Sequence, residues 1–270
     1  MKHIVDTLIE ERATSLMQSP ALWSWVQRYL YPAFHYRQAV ALVDELQHEG
    51  GRAVMDHISA MLSINVSASG LERIPGTGGV VLVANHPTGI ADGVALWSFL
   101  KEKRADLCFF ANRDAVRCIP GLSDLIIPVE WVAERRTHGK TKETVRAMAN
   151  AFADQRLIVI FPSGRLAKPT PMGLQERPWM TSAISLAQKY QVPIVPVNIK
   201  ARNTLLYYFL YFVNSELKDL TLFRELLHPR TMNYRITVGE ALMPHHDAAQ
   251  LTEDLCEFVA GPLGSGRVRL

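Results

Sequence analysis

The chain has 270 residues, of which 48% are hydrophobic and 20% charged, and its formal net charge is +3. This length and composition are those of a folded globular protein and exclude a disordered chain. The positive charge is small and forms no long run of Lys or Arg, so nucleic acid is not a predicted partner. Three widely spaced cysteines without a CxxC pair exclude a cysteine-rich zinc site.

The N-terminal stretch MKHIVDTLIEERATS carries acids where the apolar core of a signal peptide would stand. No signal peptide is therefore predicted. A spanning helix needs about 20 consecutive apolar residues. The longest apolar stretch, Leu205 to Val213, is much shorter than that, so no transmembrane segment is expected.

Residues 1–65 are predicted to form a helical N-terminal region. Apolar residues recur there at three- and four-residue spacing, and Ser19-Pro20 is typical of a helix start. Aromatic residues also lie among cations, which is a mixture that membrane-interface helices favour. The rings are Trp23, Trp25, Tyr29, Tyr31, Phe34 and Tyr36, and the basic residues are Arg28, His35 and Arg37. Packing of these rings against the core is an equal alternative, and residues 205–213 leave the same two alternatives open.

Residues 66–270 are predicted to form an α/β domain. Short apolar runs indicate strands at 64–70, 80–84, 107–111, 125–129, 157–161, 193–199 and 234–238. Longer stretches indicate helices at 93–102, 141–153, 179–190 and 247–259. Because the strands are apolar throughout and alternate with helices, we expect a mixed, mainly parallel sheet flanked by helices on both faces.

The segment Asn85-His86-Pro87-Thr88-Gly89-Ile90-Ala91-Asp92 is the strongest functional candidate. It follows a buried strand, at the end of the strand where open α/β sheets usually place their ligands. A histidine there suits general-base chemistry, and a carboxylate across the turn would orient its ring. The alternative is purely structural, with Asp92 as a helix cap and His86 as a turn residue.

Three more strand ends carry polar groups. Ser163-Gly164-Arg165 follows one apolar strand, Asn112-Arg113 ends another, and Lys200, Arg202 and Asn203 follow a third. Each signal is weak alone. Together they predict one crevice, because the carboxyl ends of such strands lie along a common edge.

The order NHPTGIADG, FFANRD, IFPSGR and VPIVPVNI resembles the lysophospholipid and glycerol-3-phosphate acyltransferase superfamily between Leu71 and Asn203. The resemblance implies a glycerolipid acyltransferase-like fold. It implies that His86 deprotonates the hydroxyl or amine of a lipid acceptor and that Asp92 orients His86. The acceptor then attacks the thioester of acyl-CoA or acyl carrier protein directly, without cofactor or metal. The residues implied in substrate binding are Asn85, Asn112, Arg113, Ser163, Gly164 and Arg165.

Two departures from the common pattern stand out. Five residues separate His86 from Asp92 instead of four, and Ser163 replaces the Glu of Phe-Pro-Glu-Gly-Thr-Arg, with Arg165 one position early. Both resemble the branch with NHPxGxxDG and FPxGR motifs, which is related to ornithine- and aminolipid-acylating enzymes. The expected acceptor is a lysophospholipid, a glycerol-phosphate or a lyso-aminolipid. The missing carboxylate at 163 weakens the case for glycerol-3-phosphate.

Two other functions compete with acyl transfer. A lipid hydrolase would use Ser163 as nucleophile, but the Gly expected two residues before it is missing. A non-catalytic lipid-binding protein would use the same scaffold at a membrane surface. For the acyltransferase we expect a peripheral location on the cytoplasmic face of the inner membrane, with the membrane surface as a partner.

Overall fold

The computed structural model describes residues 2–228, 231–245 and 247–270. The first helices are α1 (Ile4–Arg12), α2 (Pro20–Trp25), α3 (Tyr31–Ala33), α4 (Tyr36–Leu46) and α5 (Gly51–Met61). The strands are β1 (Ile64–Ser69), β2 (Val80–Ala84), β3 (Leu107–Asn112), β4 (Ile126–Val129), β5 (Leu157–Ile160), β6 (Lys168–Thr170), β7 (Gly173–Gln175), β8 (Ile194–Lys200) and β9 (Met232–Val238). The later helices are α6 (Ile90–Leu100), α7 (Asp114–Cys118), α8 (His138–Ala153), α9 (Ser182–Tyr190), α10 (Leu205–Val213), α11 (Ser215–Leu227) and α12 (Ala248–Ala260).

One sheet in the described part of the chain has the strand order β1-β9-β8-β2-β5-β3-β4. Neighbouring strands run parallel except β8 and β9, which are antiparallel. Strands β6 and β7 form a separate antiparallel hairpin. The expected mixed, mainly parallel sheet with flanking helices and a helical N-terminal region is therefore confirmed.

The central strands bury both of their faces, which explains why they are apolar at every position. In β2, Leu82 packs into a core with α5 and α6, around the fully buried Trp97. Its neighbours Val81 and Val83 point to the opposite side and pack with α8, α9 and α12. The alternation of side chains along a strand thus supplies two cores, one on each face of the sheet.

The N-terminal helices form a third apolar cluster with α10 and α11. Val5, Phe34 and Val43 pack there with Leu210 and Leu220. The aromatic residues of this region differ in exposure. Tyr31 and Tyr36 stack at a centroid distance of 4.6 Å and pack against the cluster, whereas Trp25 and Tyr29 are half exposed.

Ion pairs hold α1 against the region around α7. Glu11 receives hydrogen bonds from the guanidinium groups of Arg117 and Arg135, and Arg12 pairs with Asp114 at 2.6 Å. The bonds from Arg117 are the main cause of the lowered pKa of Glu11. The helical region is therefore fixed to the sheet by charge as well as by apolar packing.

Two helices clarify predictions made from the sequence, namely α9 and α10. The helix expected from Trp179 begins only at Ser182, because residues before it fold back onto the turn after β5, where the Met180 amide donates to the Pro162 carbonyl. Residues 205–213 form helix α10, in which Tyr207 and Leu210 are buried while Leu205 is exposed. No helix in the described residues is long and apolar enough to cross a bilayer.

Candidate active site

The turns after β2, β5 and β8 meet around His86 at the carboxyl edge of the sheet. The Phe161 ring stacks on the His86 ring with centroids 4.1 Å apart. The Ala167 amide donates to the His86 carbonyl at 2.8 Å, and the Asn203 side chain donates to the Thr88 carbonyl at 3.3 Å. Three of the four strand ends that the sequence predicts to converge are therefore in direct contact.

His86 and Asp92 form a hydrogen-bonded pair. Nδ1 of the imidazole lies 2.9 Å from Oδ2 of Asp92. The Asp92 side chain is completely buried, whereas that of His86 is 17% exposed. A carboxylate at Nδ1 favours the tautomer that carries its proton there, which leaves the lone pair on Nε2. Nε2 receives no hydrogen bond from the residues that the structure describes. It is the atom at which an acceptor's proton would be taken.

The turn itself explains how Asp92 reaches His86 across five intervening residues. Gly89 precedes α6 with φ +97° and ψ −131°, a conformation that residues with a side chain rarely adopt. The Thr88 and Gly89 amides both point at Oδ2 of Asp92, at 2.9 and 3.0 Å. Asp92 thus caps α6 and holds the imidazole with the same carboxylate, so the capping and catalytic interpretations are compatible.

Thr88 extends this network into β9. Its hydroxyl donates to Oδ1 of Asp92 and lies 2.6 Å from the Tyr234 hydroxyl. Tyr234 is buried because β9 alternates buried and exposed residues and Tyr234 falls on the inner face. Thr88 belongs to the segment that the sequence analysis identified, whereas Tyr234 was not among the candidate residues. The alternation of buried and exposed residues in β9 predicts that Tyr234 is buried, but it does not predict the contact with Thr88.

The predicted substrate-binding residue Asn85 is engaged by the backbone. Its amide donates to the Ile199 carbonyl at 2.8 Å, and its carbonyl oxygen accepts from the Ile199 amide at 2.7 Å. Asn85 is also buried. These contacts pin the end of β2 to β8 immediately before His86.

The turn after β5 is built around Gly164. The Gly164 amide donates to the Phe161 carbonyl at 2.9 Å, and the Ser163 hydroxyl donates to the Arg165 carbonyl at 2.8 Å. Gly164 has φ +60°, and a Cβ on it would lie 2.4 Å from the Trp131 ring. The turn therefore needs glycine for both conformation and space. Arg165 is exposed next to it.

Gly164→Ala is expected to destabilise the fold by about 2–4 kcal/mol, because it combines a left-handed backbone with a ring clash. Urea unfolding measures the change. Gly78→Ala is the matched control, since Gly78 has φ +80° but no described atom within 4 Å of an added Cβ. Equal destabilisation in the two variants would show that the clash with the Trp131 ring does not contribute to the loss of stability.

Glu176 brings a carboxylate to this site that the sequence analysis did not identify. Its Oε2 accepts from the His86 amide at 3.2 Å, and its Oε1 accepts from Trp179 Nε1 at 3.1 Å. Burial raises the pKa of Glu176, and hydrogen bonds from the His86 amide and the Trp179 indole oppose that rise. An acidic group therefore lies beside the turn that carries Ser163 instead of Glu. No sequence pattern marks it.

The raised pKa of Glu176 predicts a pH-dependent stability. Above the unfolded value of 4.5 the folded state holds this proton more tightly than the unfolded state. The stability contributed by the group is therefore complete below that pH and is lost as pH rises through the folded pKa. In Glu176→Gln, urea unfolding from pH 4.5 upward should show a smaller loss of stability than the wild type. Parallel pH curves for the two proteins would refute this.

Asn112 and Arg113 are engaged by other elements. The Asn112 side chain accepts from the Asp114 amide at 2.9 Å and caps α7. Arg113 pairs with Glu143 at 2.6 Å and donates to the Lys140 carbonyl, both on α8. Of the substrate-binding residues predicted outside the His86 turn, the structure thus places Ser163, Gly164 and Arg165 beside His86, whereas Asn112 and Arg113 serve contacts with helices.

In the described ranges, no three His, Cys, Asp or Glu side chains are grouped to hold a metal ion.

The chain is similar to known acyltransferases. The family model described as Acyltransferase matches residues 65–200. A lyso-glycine lipid O-acyltransferase of Phocaeicola vulgatus is 23% identical over 225 residues, covering 81% of this chain and 78% of the relative. A protein of the same name from Bacteroides thetaiotaomicron is 22% identical over 244 residues, covering 88% of this chain and 87% of the relative.

A solved structure shares the fold. It is the 1-acyl-sn-glycerophosphate (LPA) acyltransferase PlsC of Thermotoga maritima, with a TM-score of 0.51 and 18% identity. The match covers 95% of this chain and 97% of that one. The similarity therefore extends over the helical N-terminal region as well as the sheet.

Proposed function

Because this chain belongs to the acyltransferase family, we propose that it moves a fatty acyl group from a thioester to the hydroxyl of a lyso-lipid. One observation carries the proposal. The buried Asp92 holds Nδ1 of His86 at 2.9 Å, at the carboxyl edge of the sheet. This is the arrangement that a general base requires.

The acyl group passes directly from the thioester to the acceptor, without an acyl-enzyme intermediate. Nε2 of His86 takes the proton of the acceptor hydroxyl while the oxygen attacks the thioester carbonyl carbon. The tetrahedral intermediate collapses as the carbon–sulfur bond breaks, and the leaving thiolate receives the proton from the imidazolium. Asp92 stabilises the positive charge on His86 between these events. This route requires neither a metal nor a cofactor, because the thioester itself is the activated acyl donor.

The acceptor we propose is a lyso-lipid with an anionic headgroup. Exposed cations follow the strands that lead to the His86 site, with Arg165 and Lys168 after β5 and Arg202 after β8. Guanidinium and ammonium groups bind carboxylate and phosphate alike. The relatives named lyso-glycine lipid O-acyltransferases favour a lyso-aminolipid whose headgroup is a carboxylate.

A substitution at Arg165 tests the headgroup contact. Arg165→Met should raise KM for an anionic acceptor about tenfold, because a charge-assisted contact contributes roughly 1.5–3 kcal/mol. The value of kcat should change little. Arg146→Met, which removes an exposed arginine from α8, is the control. A kcat effect without a KM effect would contradict headgroup binding by Arg165.

The donor and the acceptor are tested together by a thiol-release assay. An acyl-CoA and an acyl carrier protein thioester are each offered with a lyso-aminolipid, a lysophospholipid and glycerol-3-phosphate. We expect release that depends on the lyso-aminolipid and is lost in a His86 variant. Release independent of every acceptor would indicate hydrolysis and overturn the proposal.

The enzyme is proposed to act as a peripheral protein on the cytoplasmic face of a membrane, where its lipid acceptor resides.

The Ser163 hydrolase has less structural support. The Ser163 hydroxyl donates to a carbonyl within its own turn and also contacts Glu176. A nucleophilic serine needs its base within hydrogen-bond distance, and the described contacts of Ser163 do not include His86. Ser163→Ala is accordingly expected to retain acyl transfer.

A further inference from the structure

Helix α10 exposes one apolar face to solvent. Leu205, Phe209, Phe212 and Val213 are 86%, 63%, 70% and 59% exposed. Their spacing of four, three and one places them within an arc of about 100° on the helix surface. The opposite face is anchored, because Tyr207 and Leu210 are buried. We call these four exposed residues the α10 stripe.

The α10 stripe begins directly beside the catalytic turn. Asn203, two residues before the helix, donates to the Thr88 carbonyl at 3.3 Å. Farther along, the Tyr211 hydroxyl accepts from Arg177 at 2.9 Å. Arg177 follows Glu176, which binds the His86 amide. The helix is therefore held in a fixed place relative to His86.

The charges around the stripe favour an anionic surface. Arg202 is exposed three residues before Leu205, and Lys200 is exposed at the end of β8, where its ammonium group donates to the Gly264 carbonyl. The acidic side chains of α11 are engaged. Glu216 accepts from the Ser15 and Leu16 amides, Asp219 pairs with Lys218, and Glu225 accepts from Thr204. Clustered cations beside exposed aromatic rings match the anionic headgroups and interfacial layer of a bilayer.

The length of α10 determines how it would meet a bilayer. Nine residues of helix span about 14 Å, whereas the hydrocarbon core is about 30 Å thick. The helix therefore lies along the interface, with its rings at the depth of the headgroups. Soluble proteins rarely leave large apolar side chains clustered in water without a binding role.

We infer that the α10 stripe docks this enzyme on an anionic bilayer and presents the His86 turn to acceptors embedded there. The inference rests on the proposed function for the nature of the acceptor, and on the exposure, anchoring and charge of α10 for the docking itself. It places the contact at α10 and not at the aromatic residues near the N-terminus.

Vesicle sedimentation tests the docking directly. The triple variant Leu205→Gln/Phe209→Gln/Phe212→Gln keeps the buried face of the helix intact. We expect it to bind phosphatidylglycerol-containing vesicles at least about tenfold more weakly than the wild type, because three apolar side chains no longer enter the interface. Wild-type binding should also weaken in high salt and on pure phosphatidylcholine vesicles.

The matched control is Leu22→Gln/Trp25→Gln/Tyr29→Gln, which alters three other apolar residues that are 42%, 50% and 55% exposed. Wild-type vesicle binding by the α10 variant, or equal loss in the two variants, would overturn the inference. With activity as readout, the α10 variant should lose transfer to a vesicle-embedded acceptor and keep transfer to one dispersed in detergent. Failure of the wild type to acylate any dispersed acceptor would instead refute the proposed function, while the sedimentation result would stand independently.

Discussion

His86→Ala is expected to lower kcat by about 10²–10⁴-fold, which is the usual contribution of a general base. Nε2 of His86 has no hydrogen-bond partner among the described residues, and no other described histidine forms a pair with Asp92. The variant should remain folded, because the His86 side chain is partly exposed and its backbone contacts to Glu176 and Ala167 do not involve the ring.

Steady-state kinetics with the preferred thioester and acceptor measure this loss, and circular dichroism with urea unfolding checks the fold. His57→Ala is a suitable control, because His57 lies on α5 and its imidazole is 3.8 Å from the exposed Glu45 carboxylate. A folded His86→Ala protein with near-normal kcat would remove the general-base mechanism altogether.

Asp92→Asn is expected to reduce kcat by roughly 10²–10⁴-fold with little change in stability, by analogy with loss of the orienting carboxylate in hydrolytic triads. The amide oxygen of Asn can accept from the same donors as Oδ2 of Asp92, namely His86 Nδ1 and the Thr88 and Gly89 amides. Its NH₂ group can donate to the Thr88 hydroxyl, which then turns to Tyr234. The hydrogen bonds survive, and the negative charge that stabilises the imidazolium is lost.

The double variant sharpens this test. If Asp92 acts through His86, His86→Ala/Asp92→Asn should be no slower than His86→Ala alone, since residues that act as a unit are not additive. Multiplicative losses would show that Asp92 contributes independently. Asp92→Ala is the comparison for stability. It should lower the free energy of unfolding more than Asp92→Asn does, because it leaves the amides of the turn without their acceptor.

Local patterns were sufficient to predict the sheet and the His86 turn. The strand Val80–Ala84 is apolar at every position, which indicates burial on both faces, and the following His, Gly and Asp define a turn whose geometry is set by neighbours in sequence. The position of Arg113 was not predictable in this way, because it depends on Glu143, which lies 30 residues away on α8. Glu176 is similar, since only the folding-back of its segment brings it to His86.

Helix α10 shows a different limit. All nine of its residues are apolar or aromatic, so no periodicity reveals which face is covered. Which face of α10 is buried depends on its packing against the N-terminal helices, where Leu210 belongs to the same apolar cluster as Phe34 and Leu220. Tertiary structure alone divides an apparently uniform segment into a buried side and an exposed one.

The contacts of Thr88 have a consequence for the size of the functional unit. The family match ends at residue 200, yet Asn203 and Tyr234 both bond to Thr88 inside the His86 turn. Both therefore lie outside the segment that defines the family. A fragment or chimera cut at the borders of the matched segment would keep His86 and Asp92 but lose the groups that brace their loop. Minimal versions of this enzyme should accordingly be designed to extend through β9.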